Sequence, residues 1–366
     1  MEKTKISSRQ FMIIVAIFTI GTSILITPGI VASRAKNDAW MVPIISIGVG
    51  VLVIWLYTSI VSLYPNKNIF EINEIILGKI LGMLVNIFLI VVFFITVTHT
   101  VWYVGNFLSV QILTDIPIYA THIIYIAVIV YGARLGMETI SRSAEIVFPV
   151  IIFLFILVIL LVSPQSKYEN ILPFFEHGIK PILSTVLLKI TILCLPLIIL
   201  LAIPSTWVNP VSDYRKNFIM GYIIGGVVIV ITTLFSLLVL GFEITSLQRF
   251  PTYILAKKVN ALDFFQRLEP IIAIIWIVSI FYRTSFYMYI SLIGLSHIFS
   301  LKDYKFITTP LGILTLGLSI IAFPNKAYQG EWDATIWVTI ILIVGLLLPL
   351  VLLILGLIKK KTNKNK

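Results

Sequence analysis

The sequence predicts an all-α integral membrane protein with ten transmembrane helices, and three observations predict it. Of 366 residues, 59% are hydrophobic and only 12% charged, whereas a soluble domain carries about 25% charged residues. Apolar runs of membrane-crossing length, roughly 20 residues for about 30 Å of hydrocarbon, recur from one end of the chain to the other. These runs lack the short alternating segments of a membrane barrel, so backbone polar groups in lipid are satisfied within helices. A soluble enzyme and a disordered chain are both excluded. The whole chain, 1–366, reads as a single transmembrane domain.

The first apolar run covers about residues 10–33 and follows Lys3, Lys5 and Arg9. That order mimics a signal peptide, but the run is too long for one and reads as an uncleaved first helix. The remaining runs lie near 40–64, 80–105, 116–133, 143–164, 182–205, 217–242, 267–300, 304–323 and 333–358. Polar or proline-marked breaks separate them at 34–38, 65–68, 163–167 and 324–326. The fourth run is the shortest, and no gap holds a soluble domain. Segments 68–82 and 246–265 mix apolar and charged residues at helical spacing, which predicts amphipathic helices lying at the interface. The tail 359–366 carries five lysines and reads as an anchor on anionic lipid, or else as a docking point for a partner protein.

Net charge is +11, from 27 Lys and Arg against 16 Asp and Glu. With the N-terminus inside, inner segments hold 16 of the basic residues and outer loops 9, while Lys189 and Arg283 fall within runs. This bias favours cytoplasmic termini, and it makes the charge a matter of topology rather than of nucleic-acid binding. The single cysteine, Cys194, excludes intrachain disulfides and paired-cysteine metal sites.

Motifs for catalysis are missing. The four histidines, His99, His122, His177 and His297, are widely separated, and the zinc-protease, phosphate-loop and serine-hydrolase signatures do not occur. Neither catalytic residues, nor a metal, nor a cofactor is expected. One alternative, a membrane enzyme using His99, would need a tertiary cluster. The informative feature is Gly21-Thr22-Ser23-Ile24-Leu25-Ile26-Thr27-Pro28-Gly29 in the first run. Proline removes an amide donor and glycine relaxes the backbone, which permits local unwinding around a ligand. A proline kink satisfied by hydroxyl side chains is the other reading. The sixth run offers a counterpart in Lys189, Thr191, Cys194 and Pro196. Interruptions in runs one and six suit two inverted halves of five helices, about 10–164 and 182–358. Lys189 either faces the interior or snorkels from an end of its helix.

Polar stripes mark two further runs. Thr96, His99, Thr100 and Tyr103 fall at i, i+3, i+4 and i+7, and Thr284, Tyr287 and Ser291 at i, i+3 and i+7, with Arg283 and Glu269 nearby. Such faces turn inward, either as interhelical hydrogen-bond contacts or as the wall of a cavity. Glu138, Arg142 and Glu145 are spaced to pair on one helix face, as a latch or a gate. Gly221 and Gly225 offer a close-packing face.

Three segments resemble a known family: IxxRQFxxxxxxxxIGTSILxxPG (Ile6 to Gly29), GMETISRSAEIVFP (Gly136 to Pro149) and FQRLEPIIAIIW (Phe265 to Trp276). They look like the spore germination permeases, the B subunits of nutrient germinant receptors. That family is similar to amino acid–polyamine–organocation transporters with the LeuT-type 5+5 inverted repeat. The resemblance implies a multi-pass protein of the spore inner membrane that works with an A and a C subunit. It would bind a small nutrient such as an amino acid, with ion-coupled amino-acid transport as the alternative. It further implies a ligand site at Gly21, Thr22, Ser23 and Ile24 of an interrupted first helix. On helical phase, His99, Tyr103, Thr191, Cys194, Thr284 and Tyr287 would complete that site.

Overall fold

A helix begins where its first amides find acceptors, and Ser7 supplies one. In the computed structural model, which describes residues 5–258 and 268–364, the Ser7 hydroxyl accepts from the Gln10 N–H at 3.0 Å. The Gln10 side chain accepts in return from the Ser7 N–H at 2.9 Å, which completes a capping box. From this cap, helix α1 runs from Ser8 to Ala35. The chain then turns through a 3₁₀ segment, Lys36–Trp40, into α2 (Met41–Leu63). Four more helices follow: α3 (Ile69–Leu77), α4 (Lys79–Gln111), α5 (Ile118–Leu135) and α6 (Met137–Val162).

The second half contains α7 (Ile179–Leu193), α8 (Tyr214–Leu247), α9 (Pro251–Lys257), α10 (Glu269–Ile298) and α11 (Lys305–Ile321). A last rod joins α12 (Lys326–Glu331), α13 (Trp337–Leu342) and α14 (Leu348–Lys364) through two π-helical turns, 332–336 and 343–347. Two dipeptides, β1 (Ile6–Ser7) and β2 (Val208–Asn209), pair in parallel beside the start of α1. Among the described residues, eight helical stretches are long and apolar enough to cross a membrane. One of them, Ser23–Leu63, joins the end of α1 to α2 across the 3₁₀ turn, and Lys305–Ile321 is a shorter apolar helix.

Helix α1 is the axis of the bundle, flanked by α6, α7, α8, α9 and α10. Its closest neighbour is α8, because Gly221 and Gly225 carry no side chain. A Cβ on Gly221 would lie 2.3 Å from the Met12 carbonyl oxygen, and one on Gly225 would lie 2.8 Å from that of Ala16. The close-packing face read from the sequence is thus used against α1.

The structure corrects the unwound first helix. Residues 8–35 form one continuous α-helix with Pro28 inside it. Proline at 28 leaves the Ile24 carbonyl without its helical donor. The Thr252 hydroxyl of α9 donates to that oxygen at 2.7 Å, so the helix passes through the proline without opening. Helix six is interrupted as expected. After Leu193 the chain leaves α geometry and continues as a 3₁₀ helix, Leu195–Ala202. The Tyr57 hydroxyl lies 3.1 Å from the Leu195 carbonyl oxygen and 2.5 Å from that of Gly345. Tyr287 O–H donates to the Pro196 carbonyl at 3.4 Å.

Two interfacial helices are expected; the first is shorter than its segment, and the second sits differently. The first is α3 alone, since the chain breaks at Gly78 and residues 79–82 open α4. Its inward face, Ile69, Phe70, Ile72, Asn73 and Ile76, is buried. The second is α9, whose Pro251, Thr252, Tyr253, Leu255 and Ala256 are all buried within the bundle rather than laid on lipid. Its expected continuation over 259–265 lies outside the described residues. Arg142 pairs with Glu138 at 2.5 Å, but Glu145 turns away from Arg142. It accepts from Gln10 Nε2 at 2.9 Å and lies 3.5 Å from Arg9, tying the start of α6 to the start of α1.

Replacing Thr252 by valine removes the donor to Ile24 without changing side-chain shape. We expect Thr252→Val to cost about 1–3 kcal/mol, the range for a buried polar group left unmet. In a Pro28→Ala background, where an N–H is restored at position 28, that cost should shrink. Thermal unfolding of the four proteins in lipid nanodiscs checks it; an equal cost in both backgrounds would contradict the account of helix one.

Candidate functional site

Polar side chains on apolar helices are stable at membrane depth only beside other protein groups or a cavity. The stripe of α4 meets such a cavity, of about 360 Å³. Thr96, His99, Thr100 and Tyr103 all line it, as their shared helical face requires. Opposite them stand Ile26, Gly29, Ile30 and Ser33 from the second half of α1. Trp276 and Arg283 of α10 form another wall, and Gln248, Arg249 and Phe250 before α9 a fourth. Gln329, Trp332, Asp333 and Trp337 of the last rod close the circle. The cavity lies at the end of the bundle away from the N-terminal cap, beyond the middle of α1.

A hydrogen-bonded chain crosses the outer part of this cavity. The Asp333 carboxylate, in a π-helical turn, accepts from the Tyr103 hydroxyl. Its second oxygen accepts from Gln329 Nε2 at 2.8 Å, and Arg249 donates to Gln329 Oε1 at 2.5 Å. The Arg249 guanidinium also sits over the rings of Trp102 at 5.6 Å and Phe250 at 5.5 Å. Burial lowers the Arg249 pKa, and the nearby Tyr103 and Asp333 oppose that shift. Guanidinium basicity leaves the group charged at physiological pH. His99 packs between Phe323, at 4.5 Å, and Trp332, at 4.9 Å, so its ring is part of an aromatic wall.

Two cations flank α1 near its centre. On one side Arg283 approaches Gly21, where an added Cβ would lie 3.0 Å from its Cδ. Its Nη1 donates to the Phe18 carbonyl at 3.3 Å, and its guanidinium lies over the Phe18 ring at 4.8 Å. On a different face of the helix, Lys189 donates to Thr27 Oγ1 at 2.5 Å and to Ser23 Oγ at 3.4 Å. Lys189 is 1% exposed, which excludes snorkelling. Among the described residues, neither cation has a carboxylate within ion-pair distance.

Of the site residues expected from sequence, the structure brings His99 and Tyr103 to the cavity wall. The others fall in the packing around it. Gly21 backs Arg283, Ser23 holds Lys189, and the Ile24 carbonyl is capped by Thr252. The side chain of Thr22 lies outside the described residues. Thr191 bonds back to the Leu188 carbonyl at 2.6 Å, and Cys194 Sγ to that of Gly50 at 3.5 Å. Thr284 meets the Tyr125 hydroxyl at 3.1 Å, and Tyr287 reaches helix six. The Thr191 bond lies within its own helix, and the others are contacts between segments. The spacing rule found the stripe of α4 because it lies on one helix. It missed Arg249, Gln329 and Asp333, which come from a loop and from the last rod and share no local pattern.

An all-helical membrane bundle with a broken sixth helix and a walled cavity toward one end defines a membrane protein of transporter-like fold. Comparisons with known proteins agree. Residues 5–316 match the family described as spore germination protein, and the chain belongs to that family. Spore germination protein KB of Bacillus subtilis (strain 168) is 29% identical over 367 residues, covering 100% of this chain and 98% of the relative. Putative spore germination protein YfkT of the same organism is 28% identical over 365 residues, covering 99% of this chain and 98% of the relative. Among solved structures, MhsT in complex with L-phenylalanine is similar at TM-score 0.68 and 14% identity, over 97% of this chain and 99% of that one. Mhp1, a nucleobase-cation-symport-1 family transporter, is similar at TM-score 0.67 and 12% identity, over 88% of this chain and 73% of that one. These likenesses show the fold, the LeuT-type all-α membrane architecture. The protein is a multi-pass membrane protein, and its family and neighbours are not enzymes.

Removing a partner from a buried cation costs more than removing the cation. Thr27→Val should therefore destabilise by about 1–3 kcal/mol, whereas Lys189→Met should leave stability within about 1 kcal/mol or raise it. Unfolding midpoints in nanodiscs read the order; a large loss for Lys189→Met with none for Thr27→Val would reverse it.

Proposed function

We propose that this protein is the nutrient-sensing subunit of a spore germinant receptor, binding a small nutrient, foremost an amino acid, in the cavity between α1, α4 and α10. The observation that carries the reading is the cavity itself: a recessed space within the helical bundle with aromatic walls and a few converging polar groups, the usual form of a small-molecule site. Membership of the spore germination family supplies the context. The protein would act in the spore inner membrane beside an A and a C subunit, with both termini in the cytoplasm and the cavity toward the opposite face. A nutrient bound there triggers a response only to the extent that it prefers one conformation. Moving an equilibrium from 1:99 to 99:1 takes about 10⁴-fold preference. The chain across the cavity, Arg249–Gln329–Asp333–Tyr103, joins three separate segments and suits an element that differs between the two states.

A second reading is an ion-coupled amino-acid permease. The interrupted helix six and the transporter fold favour it. Uptake of labelled amino acids into proteoliposomes under an imposed ion gradient separates the two. The sensor reading expects saturable binding without concentrative uptake, and the permease reading expects both.

Filling the cavity tests the location. Ile30→Trp adds bulk at its wall, so the nutrient concentration for half-maximal germination should rise by about tenfold or more, with receptor levels in spores unchanged by immunoblot. An unaltered nutrient response in that variant would place the site elsewhere.

A further inference from the structure

The cavity contains a charge that no carboxylate among the described residues pairs with. Arg283 is 4% exposed, lines the cavity, and has no carboxylate within ion-pair distance among the described residues. Two rings and one backbone carbonyl hold it, at Phe18 and Tyr287. A guanidinium has five N–H donors, and its buried Nε has no partner among the described residues. Burying an unpaired charge is expensive, and the cost is recovered only when an opposite charge arrives. Guanidinium geometry matches a carboxylate through paired hydrogen bonds.

Asp333, on another wall of the same cavity, is the complementary case. Its oxygens accept from Tyr103 and Gln329, and no cationic nitrogen among the described residues is within ion-pair distance. Arg249, also on the wall, reaches Asp333 only through Gln329, so Arg283 and Asp333 both face the cavity without a direct ion-pair partner among the described residues. A neutral sugar or nucleobase leaves both uncompensated, whereas a zwitterion compensates both.

We infer that Arg283 is the residue that reads the ligand's carboxylate, and so selects α-amino acids over their uncharged counterparts. The inference rests on the reading that this cavity takes the nutrient. Gly21 serves it indirectly: a Cβ there would press on the Arg283 side chain, 3.0 Å from its Cδ.

The test uses the full-length protein in nanodiscs and thermal stabilisation as the readout. The probes are the standard L-amino acids, their carboxamides, glucose and inosine. In the wild type, at least one amino acid should stabilise saturably, and its carboxamide should bind about 10- to 100-fold more weakly, the range for losing a charged hydrogen bond. Arg283→Gln should abolish the preference of acid over amide, and Arg283→Lys should retain part of it. Equal binding of acid and amide by the wild type, which requires no variant to fold, would overturn the inference. So would an unchanged acid-to-amide ratio in Arg283→Gln. Glucose or inosine binding best, with Ile30→Trp blocking it, would overturn the role of Arg283 while leaving the cavity as the nutrient site. If Ile30→Trp leaves the binding of every probe untouched, the cavity reading fails and this inference fails with it.

Discussion

The constraint on which the structure depends is that helix one cannot leave a backbone or polar group unmet at membrane depth. Water is not there to satisfy it, and lipid cannot. Helix one carries Thr19, Ser23, Thr27 and Pro28 along its buried length, so its neighbours are arranged to answer them. Thr252 replaces the donor that Pro28 lacks. Lys189 binds both Ser23 and Thr27. Arg283 takes the Phe18 carbonyl. The glycines of α8 bring that helix onto the backbone of α1. Each of these contacts comes from a different element, and together they fix α7, α8, α9 and α10 around one axis.

The cavity lies where this satisfaction stops. Below it the hydroxyls of α10 bond to neighbouring helices, as Thr284 does with Tyr125 and Tyr287 with helix six. Alongside it, Arg283 and Asp333 are held in place without a direct ion-pair partner among the described residues. Hydrogen-bonded positioning without charge compensation is what a binding site requires, since it leaves interaction energy to be gained from a ligand rather than spent within the fold. The aromatic groups His99, Trp276, Trp332 and Trp337 line the space between these charges and lower its polarity, which strengthens any interaction made there.

Much of this was legible in the sequence, for reasons that are local. Long apolar runs define helices in lipid, and a spacing of three and four residues places Thr96, His99, Thr100 and Tyr103 on one face, which does line the cavity. Pro196 after Cys194 marked the break in helix six. Helix one was read as open because Pro28 and its glycines weaken a helix in isolation; the hydroxyl that closes it belongs to Thr252, more than two hundred residues away. The same limit hid Arg249, Gln329 and Asp333, whose relation exists only after the last rod packs against α4. The α9 segment looked interfacial because its apolar face has no partner within its own stretch of chain; the partners are α1, α8 and α10.

The most direct measurement is protection of the cavity by the nutrient. Ser33 and Gln248 stand at the cavity wall on parts of the chain still open to reagent, while the native Cys194 is buried. Cysteines placed at 33 and 248 should react with a small water-soluble thiol reagent in membranes. The nutrient that triggers germination should slow both reactions saturably, over the same concentration range in which it triggers the spore. A nutrient that triggers germination yet leaves both labelling rates unchanged at saturation would contradict the account.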